Sequence, residues 1–189
     1  VVGAASDPGI EVQVAVRTHD LPYQFSEEAM AQAKAFGDTI DAQTANSRLD
    51  LRDLPFVTID GEDAKDFDDA VCATPRGKNG WTLWVAIADV AHYVTDDSPL
   101  DQTAIERGTS VYFPSEVIPM LPEILSNGLC SLNPHVDRLA LAVCLEIAST
   151  GRVTKYRFHE VVFQSQQRLT YNQVQEALDA VSADHHSPE

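Results

Sequence analysis

Positive charge is scarce in this chain: 13 Lys and Arg stand against 29 Asp and Glu, a formal net charge of −16. Phosphate binding needs clustered Lys and Arg, so this balance argues against a generally basic nucleic-acid surface, and any such contact must be local or assisted by a cation. Cysteine is sparse too. Cys72, Cys130 and Cys144 are an odd number without CxxC spacing, which argues against a disulfide framework or a zinc site and predicts reduced, mostly buried thiols. There is no run of eighteen apolar residues, and the opening VVGAASDPGIEVQV lacks the basic flank and apolar stretch of a signal peptide. A soluble, cytoplasmic protein is the expectation. Ser110 and Ser115 lie in no nucleophile elbow, and His92, His159, His185 and His186 have no zinc-like spacing. No internal repeat or low-complexity tract occurs.

What is present is an ordinary globular composition, 44% hydrophobic over 189 residues, enough for a buried core. Residues 10–17, IEVQVAVR, alternate apolar and polar as a half-buried strand does, and THDLP closes them. That strand has no partner nearby, so the chain is expected to open in the tail of a preceding β domain, as a fragment of a longer protein. From Ser26 to about residue 46 the composition favours a helical connector, with Ser26 as N-cap, acidic residues in the first turn and Gly37 as its weak point. Strands are expected at 56–60, 69–73, 81–89, 139–148 and 153–164, and helices at 99–107 and 170–183. These make an α/β chain, mixed α+β, with helices around one mixed sheet. Trp81 and Trp84 alternate within a strand, which predicts core packing for both. The proline-punctuated YFPSEVIPMLPEILSNGLCSLNP reads as an ordered functional loop.

The feature that asks for an explanation is FVTIDGEDAKDFDDAV, with six acidic side chains in the ten residues 60–69 between two apolar runs. Asp60 ends one run, Gly61 permits a bend, and Asp66, Asp68 and Asp69 meet the next. Converging carboxylates repel and raise one another's pKa, so an ionised cluster calls for a cation; hard oxygen ligands point to magnesium or manganese. Spacing alone leaves this reading level with a solvated acidic loop. No EF-hand register fits the segment. Lys65 either tempers the local charge or is an exposed turn lysine, the simpler reading.

LRDLPFVTIDGEDAKDFDDAV resembles the signature of the ribonuclease II and ribonuclease R family of hydrolytic exoribonucleases, nearer its ribonuclease R branch. The resemblance continues through LWVAIADVAHYV, RGTSVYFPSEVIPMLPEILSNGLCSLNP and VDRLALAVCLEI. It implies the tail of a cold-shock or OB-type barrel at 1–22, a helical connector at 23–50 and the N-terminal part of the RNB catalytic domain at 51–189. It further implies that Asp60, Asp66, Asp68 and Asp69 are catalytic and hold magnesium, with manganese as a substitute, and that Tyr112 stacks on bases at the RNA 3′ end. Glu62 and Asp63 fall where the motif varies, and His92 where it requires no histidine. The implied activity is processive 3′→5′ hydrolysis of RNA to nucleoside 5′-monophosphates, with single-stranded or structured RNA as partner, no membrane, and no turnover or ribosome-associated partner that can be named. Further catalytic residues and an S1-type barrel are expected beyond this chain, which alone is expected to be nearly inactive. A catalytically silent RNA-binding relative is the alternative.

Overall fold

The computed structural model describes residues 8–114 and 116–184, so Ser115, His185, His186 and the first seven residues of the expected barrel tail lie outside the described residues. The chain forms two compact units, one from residues up to Gly37 together with Val90–Ser126, the other from Asp38–Asp89 together with Asn127 onward.

The first unit corrects the expected strand at 10–17, which is a helix, α1 (Ile10–Thr18). An alternating valine series also contains i,i+4 pairs, so it can be read with either period. The partners decide: Val12 and Val16 are buried against Ile118, with Leu21, Val111 and Phe113 around them, while Val14 between them is exposed. Consequently the segment contributes no strand. The expected connector is two helices. In α2 (Glu27–Ala35) the Ser26 hydroxyl accepts the Ala29 N–H at 3.1 Å. Gly37, at φ +72°, follows its end, a conformation that an L side chain rarely adopts. The remaining piece, α3 (Ala42–Asn46), belongs to the second unit and is capped by Asp41. In the first unit α4 (Pro99–Arg107) spans the expected residues, capped by Ser98 with Pro99 in its first turn. It packs with α2 through fully buried Ala29, Ala33 and Leu100. The expected functional loop opens with a two-strand hairpin, β5 (Val111–Tyr112) and β6 (Val117–Ile118).

The second unit holds the expected mixed sheet. Its strands are β1 (Leu49–Asp50), β2 (Phe56–Asp60), β3 (Asp69–Pro75), β4 (Trp81–Ala88), β7 (Arg138–Ile147), β8 (Val153–Phe163) and β9 (Ser165–Thr170), in the order β1-β8-β7-β4-β3-β2-β9. The edge pairs β1/β8 and β2/β9 are parallel and the rest antiparallel. Helix α5 (Tyr171–Asp184) follows β9 directly. Phe56 and Phe163, both fully buried with ring centroids 4.7 Å apart, anchor the core with Val161, Val162 and Leu139. Cross-strand rows Val71/Val85/Val143/Phe158 and Ala73/Leu83/Leu145/Tyr156 line one sheet face. Trp81 is half exposed, which corrects its expected core role: it pairs with Ile147 at the tip of β4, where the sheet ends. Trp84 packs against His159 on the other face.

Candidate active site

The acidic turn is the connection from β2 to β3, held by backbone contacts on both flanks. On the sheet side, the Ala88 N–H donates to the Asp68 carbonyl at 2.9 Å. On the other, Ser131 Oγ donates to the Lys65 carbonyl at 2.8 Å and accepts the Phe67 N–H at 3.1 Å, while the Leu132 N–H donates to the Phe67 carbonyl at 2.7 Å. Arg138 Nε in turn fixes the Ser131 carbonyl at 2.7 Å. Phe67 is buried, so its neighbours Asp66 and Asp68 are carried outward on an anchored backbone. Gly61 is not sterically demanded, since a Cβ there would meet nothing within 4 Å.

The electrostatics are those of crowded like charge. Burial, followed by repulsion from Asp69, Asp68 and Asp66, raises the Asp60 carboxyl above its ordinary pKa, with Arg168 offsetting part of the effect. Burial and Asp68 likewise raise Asp69, against a backbone hydrogen bond that lowers it. Asp60 Oδ2 is buried with no hydrogen-bond partner. The nearby Asp89 makes the contrast: Arg48 meets it at 2.6 Å, whereas among the described residues Asp60, Asp68 and Asp69 form no ion pair. An orphaned carboxylate oxygen amid hard donors fits a divalent magnesium-type ion. Among the described residues, no three acidic, histidine or cysteine side chains form a ready-made metal cage, so the turn offers an incomplete set of oxygen donors. Magnesium, which retains waters and shares substrate phosphate oxygens, suits such a set.

The structure thus brings Asp60, Asp66, Asp68 and Asp69 together electrostatically. Tyr112 lies in the other unit, at the end of β5, paired with Val117 and 66% exposed. Lys65 is exposed, the Glu62 carboxylate accepts from Asn172 Nδ2 at 3.1 Å, and the His92 ring packs edge-on against Tyr93. Sequence reasoning missed Ser131, Arg138 and Arg168. Ser131 sits within the loop singled out as functional. Arg168 sits on β9, whose SQQRLT carries neither alternation nor an apolar run.

Residues 48–189 match the family model described as the RNB domain. The chain is 52% identical over 179 residues to ribonuclease R of Vibrio parahaemolyticus, covering 95% of this chain and 21% of that protein. Among solved structures, Mycoplasma genitalium RNase R in complex with double-stranded RNA superposes at a TM-score of 0.87 with 34% identity, over 95% of this chain and 32% of that one. Yeast Ssd1, a pseudonuclease, shares the fold at a TM-score of 0.78 and 20% identity, over 94% of this chain and 23% of that one.

Proposed function

The chain belongs to the RNB-domain family, and from that premise we propose that it forms the N-terminal part of the catalytic domain of a processive 3′→5′ exoribonuclease, which hydrolyses RNA to nucleoside 5′-monophosphates. Because the chain spans about a fifth of the length of the Vibrio relative, the activity is proposed for a longer protein carrying it, and the 189 residues alone are expected to cleave RNA poorly. The observation that carries this reading is Asp60: one buried oxygen lacks a partner, and three neighbouring aspartates repel its charge. A carboxylate so placed costs stability unless a cation and a substrate phosphate complete its surroundings.

In this reading Asp60, Asp66, Asp68 and Asp69 hold magnesium, or manganese in its place. When bound, such a metal supplies charge neutralisation at the scissile phosphate and a water of lowered pKa. The Ser131 and Arg138 bonds keep the turn in one arrangement, so the carboxylates are pre-positioned where charge develops. Exposed Tyr112 presents a π face to the terminal bases, worth about 1–3 kcal/mol per stacked base and indifferent to sequence, as suits an enzyme that digests any RNA. RNA is the partner, consistent with the RNA held by the Mycoplasma relative.

The fold by itself is silent on catalysis, since a pseudonuclease shares it. A silent RNA-binding relative would have no physical reason to retain mutually repelling carboxylates. In the longer protein, Asp68→Asn is expected to lower cleavage by at least about two orders of magnitude, the range for losing one transition-state electrostatic contact, with RNA affinity largely kept. Tyr112→Ala is expected to change mainly the length of the final oligonucleotide. Wild-type cleavage by Asp68→Asn would remove Asp68 from the site.

A further inference from the structure

Arg168 stands across from Thr58 in the parallel β2/β9 register, two positions before the Asp60/Thr170 pair. Its Nη2 donates to the Gly61 carbonyl at 2.8 Å and to the Glu62 carbonyl next to it. The guanidinium also lies 5.2 Å from the centroid of the Phe67 ring, within the range of a cation–π contact. One side chain therefore touches the turn where it leaves β2 and again beside Asp66 and Asp68. Asn172, four residues further on, adds its bond to the Glu62 carboxylate. None of these contacts involves a carboxylate of the candidate metal-binding set. The guanidinium nevertheless offsets part of the repulsion that Asp60 receives from its neighbours.

We infer that Arg168 is a positioning residue of the acidic turn, clamping Gly61, Glu62 and Phe67 so that Asp60, Asp66, Asp68 and Asp69 are presented together to a divalent cation. The inference rests on the magnesium-holding reading of those aspartates. Both carbonyl bonds come from Nη2, and the planar guanidinium adds a contact with the Phe67 ring, whereas a lysine ammonium is a point charge with no planar face to offer that ring. Its placement on a strand gives the clamp a rigid base. The cation contact and the clamp are thus separate jobs, performed by different residues.

The test uses a longer protein carrying this chain, as wild type, Arg168→Met, Arg168→Lys and Asp68→Asn. Mn²⁺ binding is measured calorimetrically without RNA, thermal melts verify folding, and kcat and KM are measured on single-stranded RNA. Arg168→Met is expected to bind Mn²⁺ about tenfold to a hundredfold more weakly, the usual cost of losing a group that orients metal ligands, and to lose kcat with little change in KM. Arg168→Lys should fall between, and it decides the matter if the Met variant does not fold. Wild-type Mn²⁺ affinity in the folded Arg168 variants, or a defect confined to KM, overturns the inference alone. Wild-type protein that binds no Mn²⁺, or Asp68→Asn that binds it as the wild type does, overturns it together with the proposed function.

Discussion

Asp68 repels both Asp60 and Asp69, so replacing it affects stability and chemistry in opposite directions. Raised carboxyl pKa values mean that the ionised forms are disfavoured in the fold, and relieving the repulsion stabilises it at neutral pH. Asp68→Asn is accordingly expected to melt higher than wild type in EDTA while losing cleavage. A lower melting temperature in EDTA would contradict the repulsion. Cys130, next to the turn-anchoring Ser131, provides a test that does not involve the carboxylates. Burial pushes its thiol up to about 12, against the effect of Arg138 and with that of Asp89. Since an unfolded thiol titrates at about 8.5, the unfolded chain loses its proton first, and this cysteine's contribution makes stability fall as pH rises from there towards 12. In the native state Cys130 should resist iodoacetamide at neutral pH, and rapid labelling would show that it is not buried. The acidic turn stood out in the sequence for its density of like charge between apolar runs, but spacing alone left it level with a solvated loop, and the choice of Asp60, Asp66, Asp68 and Asp69 came from the family resemblance. Arg168 did not stand out, because a lone arginine in a polar stretch carries no spacing signal.

Elements with a buried, single-period pattern were also legible: β2 and α4 run over the expected residues, and β3, β4, β7 and β8 differ from expectation only at their ends. Helix α1 was misread because its valines satisfy both periods and its partners, Val111, Phe113 and Ile118, are far away in the sequence. The long connector broke at Gly37, where a weak point had been expected. Strand β9 was missed because its pairing with β2 depends on backbone register rather than apolar alternation. A turn glycine supplies the test at this scale. Gly80, at φ +105°, lies between β3 and β4, and a Cβ there would sit 2.0 Å from the Ile147 carbonyl oxygen. Gly80→Ala should therefore cost about 1–3 kcal/mol of backbone strain, measured by urea unfolding, with the end of β7 displaced. An unchanged midpoint would mean that the turn relaxes freely.

For the whole molecule, the acidic excess that argued against a basic nucleic-acid surface is spread along the chain, and its densest stretch, six of the 29 acidic residues within ten positions, lies where a cation would be needed. Among the described residues no helix is long and apolar enough to cross a membrane. The larger unit presents an apolar sheet face whose rows run from Val71 to Phe158 and from Ala73 to Tyr156, with Tyr156 and Phe158 each about two-thirds exposed. The row beside them runs from Asp69 through Ile87 and Leu141, so the acidic turn borders that apolar face. Composition indicated a core but could not say which sheet face would be covered, because that depends on strand register. The central claim is that these carboxylates serve metal-assisted RNA hydrolysis from the 3′ end. The most direct measurement incubates a longer protein carrying this chain with 5′-labelled single-stranded RNA, in magnesium or in EDTA, and resolves the products on a sequencing gel. Magnesium-dependent conversion to a short 5′ core with few intermediates is the predicted result, whereas RNA that stays intact in magnesium but shifts on a native gel would contradict it.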